Sequence, residues 1–194
     1  MPDSRYVSAG KPKIGGAVFA GDQTSPLPTD ETTTIDPSFE DQGYCSADGL
    51  TRTIEASFNA VNAWGGEEVL NSKASESVHY KFTLIESSPA ALKSVFGADN
   101  VTVIPPAGDQ SGRIIVTING ADLPRRPWVF DLAFENQLRR QVIPIGKIVT
   151  SSVETTYKDT DPISLPVEIA CYKDSDGNYV YEYFNTGITE DNED

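Results

Sequence analysis

The chain has 194 residues, with 15 basic and 29 acidic side chains and a net charge of −14, enough length for one domain with a real core. That charge excludes a protein that grips nucleic acid through its phosphates, because such affinity comes from Lys and Arg displacing counterions. It does not exclude a surface past which a polyanion slides without sticking.

No apolar run approaches the length that crosses a bilayer, and the N-terminus lacks the apolar centre of a signal peptide, so synthesis and retention in cytoplasm, with no membrane partner, are expected. Cys45 and Cys171 are far apart, with no CxxC and no neighbouring His. They read as ordinary thiols rather than a disulfide or a metal site.

In chain order, residues 1–13 read as a polar N-terminal arm and residues 14–19 (IGGAVF) as a first strand, with Gly15 and Gly16 permitting a bulge. Residues 21–40 (GDQTSPLPTDETTTIDPSFE) are too long for an ordinary connection and poor in residues that bury themselves. Both a loop without order of its own and an extended arm ordered against another subunit fit them.

Hairpins follow. Residues 43–46 read as a short strand, Asp48-Gly49 as its turn, and residues 50–58 as the return strand. Thr51, Thr53, Glu55 and Ser57 share a polar face of that strand, while Leu50, Ile54, Ala56 and Phe58 share the other. Trp64 before Gly65-Gly66 reads as a core anchor beside a turn.

Residues 78–84 alternate Val78, Tyr80, Phe82 and Leu84 with His79, Lys81 and Thr83, the period of a strand with one buried face. A helix is predicted next, with Ser88 as N-cap, Pro89 in its first turn, Leu92, Val95 and Phe96 on one face, and Gly97 as its stop. So short a helix is marginal alone and must lean on a sheet.

Residues 100–104 read as a strand stopped by Pro105-Pro106, and residues 113–118 as another ending in an Asn119-Gly120 turn. Residues 128–134 are predicted to bury Trp128, Phe130, Leu132 and Phe134, and to show Val129, Asp131, Ala133 and Glu135 outward. Residues 141–149 are β-rich but interrupted by Pro144 and Gly146, which suits an edge or bulged strand. Residues 166–172 and 179–184 read as a final hairpin around Asp176-Gly177. Its DSDGN turn lacks the later ligands of a calcium loop. Residues 187–194 form an acidic tail.

Catalytic chemistry has little to build on. His79 is the only histidine, and no GxSxG, phosphate-cradling glycine loop or repeated Cys/His spacing occurs. Asp131 with Glu135 on one strand face resembles a glycosidase pair only as any acidic strand would. No catalytic residue, metal or cofactor is expected, and the chain does not read as an enzyme.

Several segments in order carry a family likeness: Gly10-Lys11-Pro12-Lys13 leading into the Gly-Gly strand, Leu27-Pro28-Thr29-Asp30, Gly43-Tyr44 before Asp48-Gly49, and Ala63-Trp64-Gly65-Gly66. It continues through residues 81–86 (KFTLIE), Val95-Phe96-Gly97, Asn100-Val101-Thr102, Tyr157-Lys158-Asp159 and Asp176-Gly177-Asn178. By their order and spacing, over residues 10–184, the chain resembles the major tail proteins of long-tailed bacteriophages, the tail tube subunits, in particular those of siphophages of actinobacteria.

The resemblance implies a mainly β fold: a tail-tube-type β-sandwich over residues 14–186, partly barrel-like, flanked by one short α-helix, with the long loop after the first strand. It implies a virion protein that forms hexameric rings stacked into the tail tube, the conduit for genome delivery. The implied partners are other copies of itself, the tape measure protein, and the tail-tip (distal tail) and tail terminator proteins, with double-stranded DNA passing through unbound. Lumen-facing positions are then expected among Thr51, Thr53, Glu55, Ser57, Asp131 and Glu135, although outer solvent would suit the same polar faces. Contact between rings is expected in the long loop, at Thr24, Leu27, Pro28, Thr29, Thr33 and Thr34. The inner tube of a contractile tail or injection machine is a close alternative. From a different class, a carbohydrate-binding β-sandwich module using Trp64, Trp128 and the last hairpin's tyrosines also fits.

Overall fold

The structure, a computed structural model, describes residues 6–13, 17–150, 153–155 and 157–186. The start of the expected first strand and the acidic tail at 187–194 lie outside the described residues. Among the described residues, ten strands and one α-helix follow in order: β1 (Val18–Ala20), β2 (Glu40–Asp41), β3 (Thr51–Asn62), β4 (Glu68–Leu84), α1 (Pro89–Phe96), β5 (Val101–Ile104), β6 (Arg113–Val116), β7 (Arg126–Phe134), β8 (Gln137–Ile148), β9 (Leu165–Tyr172) and β10 (Tyr181–Phe184). The fold is mainly β with one short helix, as the sequence predicts. Its principal sheet is antiparallel, ordered β2-β1-β7-β8-β9-β4-β3, with β10 also on β8. The sheet is open rather than closed into a barrel, and β3 forms one edge.

One face of this sheet is covered by α1 and the β5–β6 hairpin. Val78, Tyr80, Phe82 and Leu84 from β4 meet Trp128 and Phe130 from β7 and Ile169 from β9, under Leu92 and Val95 of the helix. Tyr80 stacks on Phe130 with ring centroids 5.2 Å apart. Local chemistry sets the helix as predicted: the Ser88 hydroxyl accepts from the Ala91 N–H, Pro89 opens the first turn, and Gly97 ends it at φ 96°.

Gly146 packs beneath Trp128, where a Cβ would lie 2.7 Å from the indole. Strand β8 is central, paired with β7, β9 and β10, so an edge position is ruled out. The expected bulge is present, because two residues, Pro144 and Ile145, lie opposite the single Pro127. Neither proline has an N–H to give the ladder, so the irregularity falls where the bonds are already missing.

The other face of β7 and β8 is also buried, which overturns the outward positions predicted for Val129 and Asp131. The long loop at residues 21–40 folds over it, and Phe39 packs on Val129 and Val142 beside Ile35, Tyr181 and Tyr183. The Arg140 guanidinium, 1% exposed, forks onto Asp131 at 2.6 and 2.8 Å. Its remaining amino group donates to the loop carbonyls of Asp30 and Thr33 at 2.9 and 2.7 Å. A buried charge pair needs every remaining donor satisfied, and here the loop supplies the acceptors.

Two predicted hairpins are absent. The Tyr44–Ser46 stretch and β3 both run antiparallel to β4, so they follow one line along it with the Asp48-Gly49 turn as an excursion between them. Likewise β9 and β10 both run antiparallel to β8, with the Asp176-Gly177 turn looped out. Strand β6 pairs with β5 rather than β7. There Asn119 exchanges amide hydrogen bonds with Asn100 at 2.9 Å in both directions, which ties the segment to the helix end.

Candidate assembly surface

The longest element is the β3–β4 hairpin, and only half of it belongs to the body. Its true turn is at Ala63-Trp64-Gly65-Gly66, where the Gly66 N–H donates to the Ala63 carbonyl and both glycines have positive φ. Residues 68–77 of β4 precede the first buried position, Val78. At about 3.4 Å per residue they carry the ribbon roughly 30 Å beyond the body.

Ile54 lies opposite Val78 and thus on the core-side face, yet it is exposed because the helix layer does not reach it. Ala56 and Phe58 continue that face along β3. Val61 and Leu70 pair on the opposite face and are exposed as well. Trp64 at the tip is fully exposed, which overturns its reading as a core anchor. The ribbon is therefore apolar on both faces and at its end, and an unpaired backbone edge runs along β3. An isolated two-stranded ribbon is marginal in water, and a long exposed edge is a template for pairing.

The face of the sheet opposite the core, beyond the part that the loop covers, is polar and continues from the body onto the ribbon. Thr51, Thr53, Glu55 and Ser57 lie on it beside Lys81, His79, Ser77 and Ser75, their cross-strand partners. Ser57 and Ser75 share a hydrogen bond of 2.6 Å. Glu168 accepts from His79 at 3.0 Å and lies 3.3 Å from Lys81. The guanidinium of Arg125 sits 4.0 Å over the Tyr172 ring.

Of the six positions expected to face a lumen, these four share one face and Asp131 does not join them. It is 5% exposed and held by Arg140 beneath the loop. Glu135 is exposed, but in the turn between β7 and β8 at φ 52° rather than on the strand.

In the loop, Thr24, Leu27, Thr29, Thr33 and Thr34 are exposed, whereas Pro28 is buried. Asp30 organises this surface by accepting from the backbone and hydroxyl groups of Thr32 and Thr33. Those bonds, led by the Thr33 hydroxyl, hold its carboxyl well below the usual range. Asp36 is lowered in the same way by Ser38.

A groove of about 1230 Å³ opens between the core-side face of the sheet and the start of α1. Val18, Phe82, Phe130 and Leu132 line its floor, and Leu50, Ala90 and Lys93 its walls. Cys45 also lines it, with its thiol pushed up to about 11, first by burial and then by Asp41. Cys171 is pushed up to about 12 by burial. Both are free thiols, and neither is a ready nucleophile. Among the described residues, no group of three or more His, Cys, Asp or Glu could hold a metal ion, and no helix is long and apolar enough to cross a membrane.

The residues that sequence reading missed are those of the distal ribbon. Residues 68–77 (EVLNSKASES) are too polar to signal a strand by periodicity. The available signal was two Gly residues following an aromatic at a turn, and it was read in favour of burial.

No family model matches the chain, and no curated protein matches it. Among solved structures it is similar to the anti-feeding prophage cap, described as the AFP tube terminating cap and determined by cryo-EM, at 7% identity and a TM-score of 0.43, over 92% of this chain and 95% of that one. Similarity at that level assigns this chain neither a family nor a function.

Proposed function

We propose that the chain is a structural, non-enzymatic virion protein that forms the tail tube of a phage, with six copies joined in a ring and rings stacked into a hollow conduit for the genome. The observation that carries this reading is the β3–β4 ribbon. It projects some six apolar side chains into water and leaves an edge strand unpaired, an arrangement that makes sense only when other copies cover it.

In this reading the polar face with Thr51, Thr53, Glu55 and Ser57 lines the channel. Hydroxyl and carboxylate groups there release no counterions from DNA, and the Lys81 ammonium is paired with Glu168, so the polyanion passes without binding. The exposed loop positions Thr24, Leu27, Thr29, Thr33 and Thr34 meet the next ring. The tape measure, tail-tip and terminator proteins are the remaining partners. An inner tube of a contractile tail or injection machine would use the same surfaces. A carbohydrate platform loses Trp128, which is fully buried, and an exposed Trp64 at the end of a projecting hairpin offers no concave site.

Negative-stain microscopy of the concentrated protein, alone and with an isolated tail-tip complex, tests the proposal. Rings or tubes with a central hole are expected, and failure to polymerise on the tip complex would overturn it. A Glu55→Lys variant should assemble yet slow genome delivery, and unchanged delivery would remove Glu55 from the channel. The loop is best tested by Leu27→Asp, expected to leave a folded subunit that extends tubes poorly. Deleting residues 23–33 would strip Arg140 of its carbonyl partners and damage the fold itself.

A further inference from the structure

The core-side groove and the hairpin tip are both unfilled features, and their chemistry is complementary. At about 1230 Å³ the groove exceeds the range of about 300–1,000 Å³ for small-molecule pockets. A polypeptide segment suits it better. Its floor is apolar; its lining carries Glu40, Asp41 and Glu86 as well as Lys13, Arg52 and Lys93, and of these cations Lys93 has no carboxylate partner among the described residues, Lys13 being paired with Asp131 and Arg52 with Glu182.

The tip offers a fully exposed indole, with the exposed pair Val61 and Leu70 further down the ribbon and Glu67 in the same turn region, with no cation on that carboxylate among the described residues. A ribbon apolar on both faces is fully covered only by insertion. It cannot insert into its own subunit. Arg52 lines the groove and Trp64 lies twelve residues further along the same strand and turn, about 40 Å at strand rise. Folding back would require the β3–β4 ladder to break.

We propose that the groove between α1 and the sheet receives the β3–β4 tip of a second copy of this chain, with Trp64 as the anchor on the apolar floor and Glu67 paired to Lys93. The proposal rests on the self-assembly reading above and adds to it the contact that joins copies. The two surfaces differ, so the contact is head to tail and propagates from copy to copy rather than stopping at a dimer. A large aromatic in a desolvated pocket is the kind of residue that dominates an interface.

The test uses two variants of the full chain, Trp64→Ala, which keeps the groove, and Ala90→Trp, which fills it and keeps the tip. Thermal melting confirms that each folds, and light scattering and sedimentation read assembly. Wild type should form particles of many subunits, and each variant alone should remain at the subunit mass. An equal mixture should form particles of twice the subunit mass and no larger, because one junction per pair survives. If Ala90→Trp fails to fold, Lys93→Glu takes its place, expected to lose assembly and to regain it when combined with Glu67→Lys.

Normal assembly by Trp64→Ala, or a mixture that yields no dimer, would overturn the contact while leaving self-assembly standing. Loss of assembly by Trp64→Ala with normal assembly by both groove variants would show that the tip docks elsewhere, with the same consequence. A wild-type chain that stays at the subunit mass at every concentration would overturn the contact, and its failure to polymerise on the tip complex as well would overturn the self-assembly reading.

Discussion

The two halves of the β3–β4 hairpin are made of the same two strands and behave oppositely. In the proximal half, β4 is flanked by β9 as well as β3, and its alternate residues Val78, Tyr80, Phe82 and Leu84 are buried under the helix. In the distal half β4 has only β3 beside it, and Phe58, Val61, Val69 and Leu70 face water. Identical local geometry thus supports a core in one place and an unfilled contact surface in the other. What differs is the layer above, not the strand. Stability should reside almost wholly in the proximal half and the sheet behind it, and assembly in the distal half.

Four measurements would break or sharpen that division, from the largest expected effect downward. Arg140→Ala leaves Asp131 buried without its partner and should cost about 3–5 kcal/mol in denaturant unfolding. A loss under about 1 kcal/mol would mean that water replaces the guanidinium and that the loop contributes little. Gly146→Val forces a side chain against Trp128 and should cost about 1–3 kcal/mol, with near-ultraviolet dichroism of the indole altered.

Acid should act on the loop before the sheet. The carboxyls of Asp30 and Asp36 are held below their ordinary value by Thr33, Thr32 and Ser38. Their contribution is complete above the unfolded pKa of about 3.9 and is lost as pH falls through the folded value. Amide exchange in residues 30–38 should therefore accelerate below about pH 4 while β7 and β8 stay protected. Simultaneous loss of both would contradict this. Smallest of all, Trp64→Ala should change the unfolding free energy by no more than about 0.5 kcal/mol, since the side chain touches nothing in its own subunit.

How much of this was legible in the sequence follows the same division. The central strand and helix could be read because period, cap, proline and glycine all agree over residues 78–97, and the body packs as those signals say. The strand at 128–134 was read correctly on its core side at Trp128 and Phe130, while Leu132 and Phe134 are only half-buried. Asp131 looked like a wet-face residue because alternation reports which face a residue shares. It cannot report that a loop a hundred residues earlier covers that face and supplies carbonyls to Arg140.

The Asp-Gly turns misled for a related reason. Gly49 and Gly177 do adopt positive φ in tight turns. Turn chemistry fixes the local bend but not the partner of the strand that follows, and both times the chain returned to the strand it had left. Trp64 was misplaced because a tryptophan is usually worth burying within its own chain. The candidate surface was half visible: the Thr51, Thr53, Glu55 and Ser57 face was legible from alternation, but the ribbon beyond it was not, since residues 68–77 are too polar to show a strand period.

The central claim is that the projecting ribbon makes this chain a self-assembling structural subunit without holding the subunit together. Its most direct test is a variant in which residues 57–75 are replaced by a two-residue Asn-Gly turn, compared with wild type by thermal melting and by negative-stain microscopy at the same high concentration. The account predicts closely similar melting temperatures, with rings or tubes in the wild type and only single subunits in the variant. Rings or tubes formed equally well by the shortened chain would contradict it.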